Sequence, residues 1–280
     1  MADAPRPDLE DTEIVTVPLS GALSDASGEP LRRFAEGVWI EPSPRWVRTY
    51  LGGVAVADSR RVLLVFEPQR LPVYWFPAAD VRMDLLRPSA EVHSARSPIV
   101  RYDVEVGDRV APRAAWSLRA PDPERAELAD HLAFVWDRMD AWFEEDDEVF
   151  VHARDPYGRV DVLNSSRRVR VEVGGRVLAE STRPRLLFET GLPTRYYLPK
   201  QDVDMKLLVP SSSTSRCPYK GVAVYWSVPD GDTVLDDLAW SYPAPIPECP
   251  KIENLLSFFN ERVDIFVDGV EQPRPVTGWS

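Results

Sequence analysis

Cys217, Lys220, Glu189 and Arg195 are the side chains whose types and spacing suit chemistry in this 280-residue chain. Cys217 opens the run Cys217-Pro218-Tyr219-Lys220-Gly221 and has Arg216 immediately before it. Positive charge on both sides of a thiol favours the thiolate, which is the nucleophilic form. Lys220 could instead hold a substrate carboxylate or phosphate. Glu189 ends the apolar run 186–188 and is a proton-transfer candidate. Arg195 offers a second anion holder, and Tyr196, Tyr225 and Trp240 supply rings able to wall a small-molecule pocket. The catalytic candidates are therefore Cys217, Lys220 and Glu189, and the ligand-binding candidates Arg195, Tyr196, Tyr225 and Trp240. No histidine accompanies Cys217 in its motif, so activation would rest on positive charge. Each residue also has a structural reading: a small buried hydrophobe for Cys217, a structural cation for Lys220, a hydrogen-bond acceptor for Glu189, core packing for the rings.

These residues stand out because the chain contains itself twice. Gly52-Gly53, Ala57-Asp58-Ser59, Glu67, Tyr74-Trp75-Phe76-Pro77, Asp80-Val81 and Leu85-Leu86 answer at one offset to Gly174-Gly175, Ala179-Glu180-Ser181, Glu189, Tyr196-Tyr197-Leu198-Pro199, Asp202-Val203 and Leu207-Leu208. Ala115-Trp116-Ser117 and Phe134 then answer to Ala239-Trp240-Ser241 and Phe258 at an offset two residues longer. A period this long is not a solenoid unit; it reads as two tandem copies of one domain. Glu67 matches Glu189, but Val73 stands at the place of Arg195. The place of the Cys217 loop falls within His93-Ser94-Ala95-Arg96-Ser97-Pro98, with neither thiol nor lysine. The copies have diverged where chemistry is possible, which directs attention to the second.

The elements that must hold these groups read as mainly β: two tandem homologous small β domains, each a barrel or sandwich, with short helices only. Valine-rich alternation around Gly52-Gly53 and again around Gly174-Gly175 spells one hairpin twice. Short β-branched and aromatic runs punctuated by Pro and Gly follow, and 27 prolines leave little room for long helices. Leu128, Leu132, Val135, Met139 and Trp142 recur at helical spacing, which alone predicts a helix over 124–143. The matching stretch 252–270 alternates toward Asp268-Gly269 as a strand, so the expectation is a short helix at 124–130 followed by strands. Asp80 and Asp202 read as caps of short turns, and the acidic run 144–148 as a solvated turn. The expected divisions are a mobile acidic arm at 1–35, a first domain at 36–150, an ordered connector at 151–166 and a second domain at 167–280.

Composition bounds the function classes. Hydrophobic content of 44% and charged content of 28% are those of a globular protein. A formal charge of −12 gives nucleic acid and anionic lipid no electrostatic help, so neither is expected as a partner. No run approaches the length of a membrane span, and the acidic start lacks signal-peptide character, which predicts a cytoplasmic protein. Two cysteines and three histidines show no zinc spacing, so no metal and no cofactor is expected. The expected partner is a small-molecule ligand, whose identity the sequence leaves open along with the oligomeric state.

Arg195-Tyr196-Tyr197-Leu198-Pro199, Asp202-Val203, the 217–221 loop with Tyr225, and Trp240-Ser241-Tyr242-Pro243 resemble the family known as domain of unknown function 427, in a two-copy form spanning about residues 45–271. Residues 152–161 are similar to that family's connector, with Gly158 where the resemblance leads us to expect His. The resemblance implies a small β-rich domain similar to β-tent proteins and no particular activity. The family has been labelled nucleotidyltransferase-like, yet the chain has neither a glycine turn followed by paired aspartates nor a phosphate-cradling loop.

Overall fold

The computed structural model describes residues 37–68, 70–92, 98–231 and 233–280. The expected arm at 1–35, and His93 to Ser97 of the first-copy loop, lie outside the described residues.

The first copy comprises β1 (Trp39–Pro42), β2 (Val47–Leu51), β3 (Val54–Ser59), β4 (Leu63–Phe66), β5 (Val73–Pro77), β6 (Leu86–Val92), β7 (Ile99–Val106), β8 (Arg109–Leu118), β9 (His131–Phe134), β10 (Ala141–Glu144) and β11 (Asp147–Glu148). The second repeats them as β12 (Val160–Asn164), β13 (Val169–Val173), β14 (Arg176–Ser181), β15 (Arg185–Glu189), β16 (Arg195–Tyr197), β17 (Val209–Cys217), β18 (Gly221–Asp230), β19 (Thr233–Ser241), β20 (Leu256–Phe258), β21 (Asp264–Val267) and β22 (Val270–Glu271). Among the described residues, helical structure is confined to short 3-10 turns, including Pro123–Leu128 and Pro250–Ile252. The protein is mainly β, in tandem copies.

Alternation builds the four-stranded sheet of each copy. Val169, Val171 and Val173 of β13 are buried while Arg170 and Glu172 are not, and β2 buries Val47, Thr49 and Leu51 in the same rhythm. The β2–β3 hairpin turns at Gly52 (φ 57) and Gly53 (φ 76), and its repeat at Gly174 (φ 55) and Gly175 (φ 78). Two successive left-handed residues are what a two-residue primed turn requires. These hairpins extend to the orders β11-β10-β2-β3 and β14-β13-β21-β22.

The second sheet differs between copies. In the first it is continuous, in the order β1-β4-β5-β9-β8-β7-β6. In the second the corresponding strands form β12-β15-β16 and β17-β18-β19-β20, joined by the single bridge Leu198↔Leu256. Each copy has a core between its sheets, centred on Phe76 and Phe134 in the first and on Leu198 and Phe258 in the second. A further cluster packs on the other face of the second sheet: Val65, Trp75, Trp116 and Leu128 in the first copy, Leu187, Tyr197, Trp240, Cys249 and Ile252 in the second.

The stretch at 124–143 folds as the repeat implies, with a 3-10 turn at Pro123–Leu128 and then β9 and β10. Two expectations are corrected. Asp80 and Asp202 close their 3-10 turns rather than capping them, and each accepts hydrogen bonds from a serine (Ser59, Ser181) and an arginine (Arg61, Arg183). Glu144 is not part of a solvated turn. It is buried at 7% exposure because it occupies, by register, the inward position that Val267 fills in the second copy.

Candidate functional site

Strand alternation sorts the candidates before any chemistry is considered. On β15, Leu187 faces the outer cluster of the second copy, and Glu189, two residues on, shares that face. On β16, Arg195 and Tyr197 face the same side, whereas Tyr196 points into the inter-sheet core with Leu186. On β18 and β19, Tyr225 and Trp240 are direct partners across the ladder and join that cluster with Cys217.

The β17–β18 turn delivers the thiol and the cation together. Cys217 ends β17, and the backbone N–H of Lys220 donates to the Cys217 carbonyl at 3.3 Å. Lys220 is 8% exposed, and its Nζ donates to both carboxylate oxygens of Glu189, at 2.6 and 2.5 Å. Burial alone would lower the lysine pKa, but the negative charge of Glu189, with Cys217 adding to it, raises it instead. The ammonium therefore stays charged inside the protein. Gly221 completes the turn with φ 106, where an L side chain is strained, and a Cβ there would press on the Ala244 carbonyl oxygen at 3.2 Å.

Not all of the candidates converge here. Arg195 is buried at 6% exposure, and both its terminal nitrogens donate to Glu261 at 2.7 Å. The rings of Trp240, Phe259 and Trp279 surround its guanidinium at 5.5, 5.9 and 5.6 Å. Burial would raise the Glu261 pKa, but hydrogen bonds from Arg195 and Thr277 hold it below the usual range. Arg195 is thus engaged by its own carboxylate, and Tyr196 lies in a different core. Tyr197 takes the place on the wall, its hydroxyl accepting from Trp240 Nε1 at 3.0 Å.

Three participants went unread in the sequence. Cys249 is 3% exposed in the same cluster as Cys217, and burial pushes its thiol up to about 11. Ser257, paired with Trp240 across the ladder, buries its hydroxyl without a hydrogen-bond partner among the described residues. His152, in the connector, packs its ring against Tyr219 with centroids 5.9 Å apart. Its Nδ1 lies 2.7 Å from the Ala153 carbonyl oxygen. A carbonyl only accepts, so Nδ1 carries the proton and Nε2 is the acceptor. Burial lowers the His152 pKa against the opposing pull of the Ala153 bond, Glu144 and Glu189. The available signal for His152 was the connector's ordered composition; for Cys249 there was none.

The connector is tied to this turn from several directions. The Asp155 N–H donates to the Tyr219 hydroxyl at 2.7 Å, and Arg216 lies 4.3 Å above the Phe150 ring. A Cβ at Gly158 would meet the Asp155 carbonyl oxygen at 3.3 Å and the Tyr219 hydroxyl at 3.4 Å, so a larger residue there would crowd the contact. On the first-copy side, Glu144 accepts from Tyr74 at 2.9 Å and from the Arg154 N–H at 3.2 Å and pairs with Arg45 at 3.0 Å. Among the described residues no cluster of His, Cys, Asp and Glu could hold a metal ion. No helix among them is long and apolar enough to cross a membrane.

Fold and site together define a duplicated, antiparallel β protein in which each copy pairs a partly buried glutamate with a buried cation, and only the second sets a thiol beside that pair. The chain belongs to the family described as domain of unknown function (DUF427), whose model matches it over residues 39–145 and again over 161–269. A search of curated proteins found no match.

Proposed function

We propose that the second copy carries a small-molecule site at the Cys217–Lys220 turn, with Cys217 as its nucleophile. The observation that carries this reading is the buried Lys220–Glu189 pair in the same turn as a partly exposed cysteine. A fixed ammonium stabilises a thiolate, or an anionic group on a bound ligand, far better in a low-dielectric setting than in water. Glu189 fixes the ammonium beside the thiol by accepting from it with both carboxylate oxygens. Tyr225 and Trp240 supply an apolar wall, and the unpartnered Ser257 hydroxyl beside them suits a polar atom of a ligand. Two free thiols also suit a reducing, cytoplasmic compartment.

A second reading, a non-catalytic metabolite-binding or protein-interaction module, is favoured by one observation. Glu67 pairs with Arg125 in the first copy much as Glu189 pairs with Lys220, so a glutamate–cation pair serves structure without a thiol. Native mass spectrometry of the purified protein and of Cys217→Ser separates the two. A retained small molecule or adduct that disappears in the variant supports the nucleophile. A ligand retained equally by both supports non-covalent binding, and a bare mass in both removes tight binding and stable adducts.

A further inference from the structure

We infer that His152, supplied by the connector, is the acid–base group of the Cys217 site. The inference rests on the reading of Cys217, Lys220 and Glu189 given above.

The geometry brings the imidazole to the turn and sets its tautomer. Tyr219, against which the ring packs at 5.9 Å, lies two residues after Cys217 and immediately before Lys220. The Asp155 N–H at 2.7 Å from the Tyr219 hydroxyl fastens the connector to that turn, so ring and thiol-bearing loop cannot drift apart independently. The Ala153 carbonyl accepts a hydrogen bond from Nδ1–H, which keeps its proton and leaves the Nε2 lone pair as the ring's acceptor.

The charged surroundings suit a base. Glu144 acts on the imidazole from β10 and Glu189 from β15, and each carboxylate carries its own cation, Arg45 and Lys220. Tyr219, facing the ring from the turn, is held neutral by burial. Burial outweighs both carboxylates, so the imidazole is neutral at neutral pH, while the carboxylates stand ready to stabilise the imidazolium once formed. In the step that follows, the Cys217 Sγ proton passes to His152 Nε2, and Lys220 stabilises the thiolate left behind. With iodoacetamide as electrophile, a sulfur–carbon bond forms and the carbon–iodine bond breaks. Iodide leaves with the bonding electrons, and the imidazolium returns its proton to water.

The test is the pH dependence of Cys217 alkylation by iodoacetamide, resolved by peptide mass spectrometry, in the full chain and in His152→Asn. Asparagine keeps a donor for the Ala153 carbonyl but cannot titrate. The expected result is a rate at pH 7 that falls roughly tenfold or more in the variant, with its profile displaced to higher pH and Tm unchanged. Superimposable profiles would overturn the inference. A second readout covers a variant that does not fold: the His152 imidazole followed by NMR in the wild-type chain and in Glu189→Gln. Loss of the carboxylate should lower the imidazole pKa further, and an imidazole unmoved by it overturns the inference even where Cys217 is reactive. Wild-type alkylation no faster than that of free cysteine sinks the thiol reading itself, and the acid–base role falls with it.

Discussion

Glu67, just after β4, and Glu189, at the end of β15, hold equivalent places in the two copies, yet their cations come from different elements. Glu67 is held by Arg125, from the 3-10 turn Pro123–Leu128, at 2.6 Å, and by Arg70 at 3.1 Å, while Asp122 shares Arg125. Glu189 is held by Lys220 from the β17–β18 turn. The left-handed residues Asp130 (φ 59) and Asn254 (φ 56) close equivalent turns and bring the segments into register. By that register, Cys249 stands where the first copy has Arg125. The second copy has therefore exchanged a cation for a thiol on one side of the glutamate and drawn its charge from the loop that bears the other thiol. The first copy holds its glutamate–cation pair with no thiol beside it. What is particular to the second is the pair of thiols around that glutamate and its cation.

The comparison can be broken first at the cations. Lys220→Met leaves Glu189 half-shielded with no partner and should cost about 3–5 kcal/mol in urea unfolding, as for other buried pairs broken on one side. Arg125→Met should cost less, because Glu67 is more exposed and keeps Arg70. Equal losses would deny the asymmetry. Adding Cys249→Arg to Lys220→Met returns a cation from the first copy's direction and should recover part of the loss, a result that unfolding midpoints read directly.

A smaller effect is expected at the tyrosines. Tyr74→Phe removes the hydroxyl that Glu144 accepts from and should destabilise by about 1–3 kcal/mol. Tyr196→Phe, in the equivalent place, should be close to neutral, since its hydroxyl has no partner among the described residues.

The smallest effects should be the same in both copies. Burial opposes ionisation of Asp80, and hydrogen bonds from Arg61 and Ser59 outweigh it; at Asp202 the Arg183 bond leads and Ser181 adds to it. Both folded-state pKa values lie below those of the unfolded chain, so the stabilisation is present above the ordinary aspartate range and is lost as pH falls through the lowered values. Asp80→Asn and Asp202→Asn should each flatten the fall in Tm between pH 5 and pH 3 by similar amounts. Unequal effects would show that the copies have diverged here as well.

What the sequence disclosed follows the range of the interactions involved. The hairpins were legible because Gly-Gly flanked by alternating valines is a local signal, written twice. The strands at 131–144 were legible only through the second copy, since Leu128, Leu132, Val135 and Met139 imitate a helix. Cys217, Lys220 and Glu189 stood out by residue type, the first two also by divergence between the copies, and the fold brings Lys220 to Glu189 through a pairing 31 residues apart. The Arg195–Glu261 pair was not legible, because its partners are 66 residues apart and meet through strand alternation and the turn after β20. Glu144 was hidden within an acidic run, because the offset that matches Phe134 to Phe258 sets Asp268 opposite it and the match to Val267 emerges only from the strand pairing. His152 was passed over because its neighbours in sequence are not its neighbours in space.

Tyr219 on Asp155 and Arg154 on Glu248 fasten the connector to the second copy, Arg45 and Glu144 fasten it to the first, and Arg216 on Phe150 joins the copies just before it. A splint gripped at both ends should make two homologous cores melt as one cooperative unit. Heating should give a single calorimetric transition whose van't Hoff and calorimetric enthalpies agree, even though the chain contains the same domain twice.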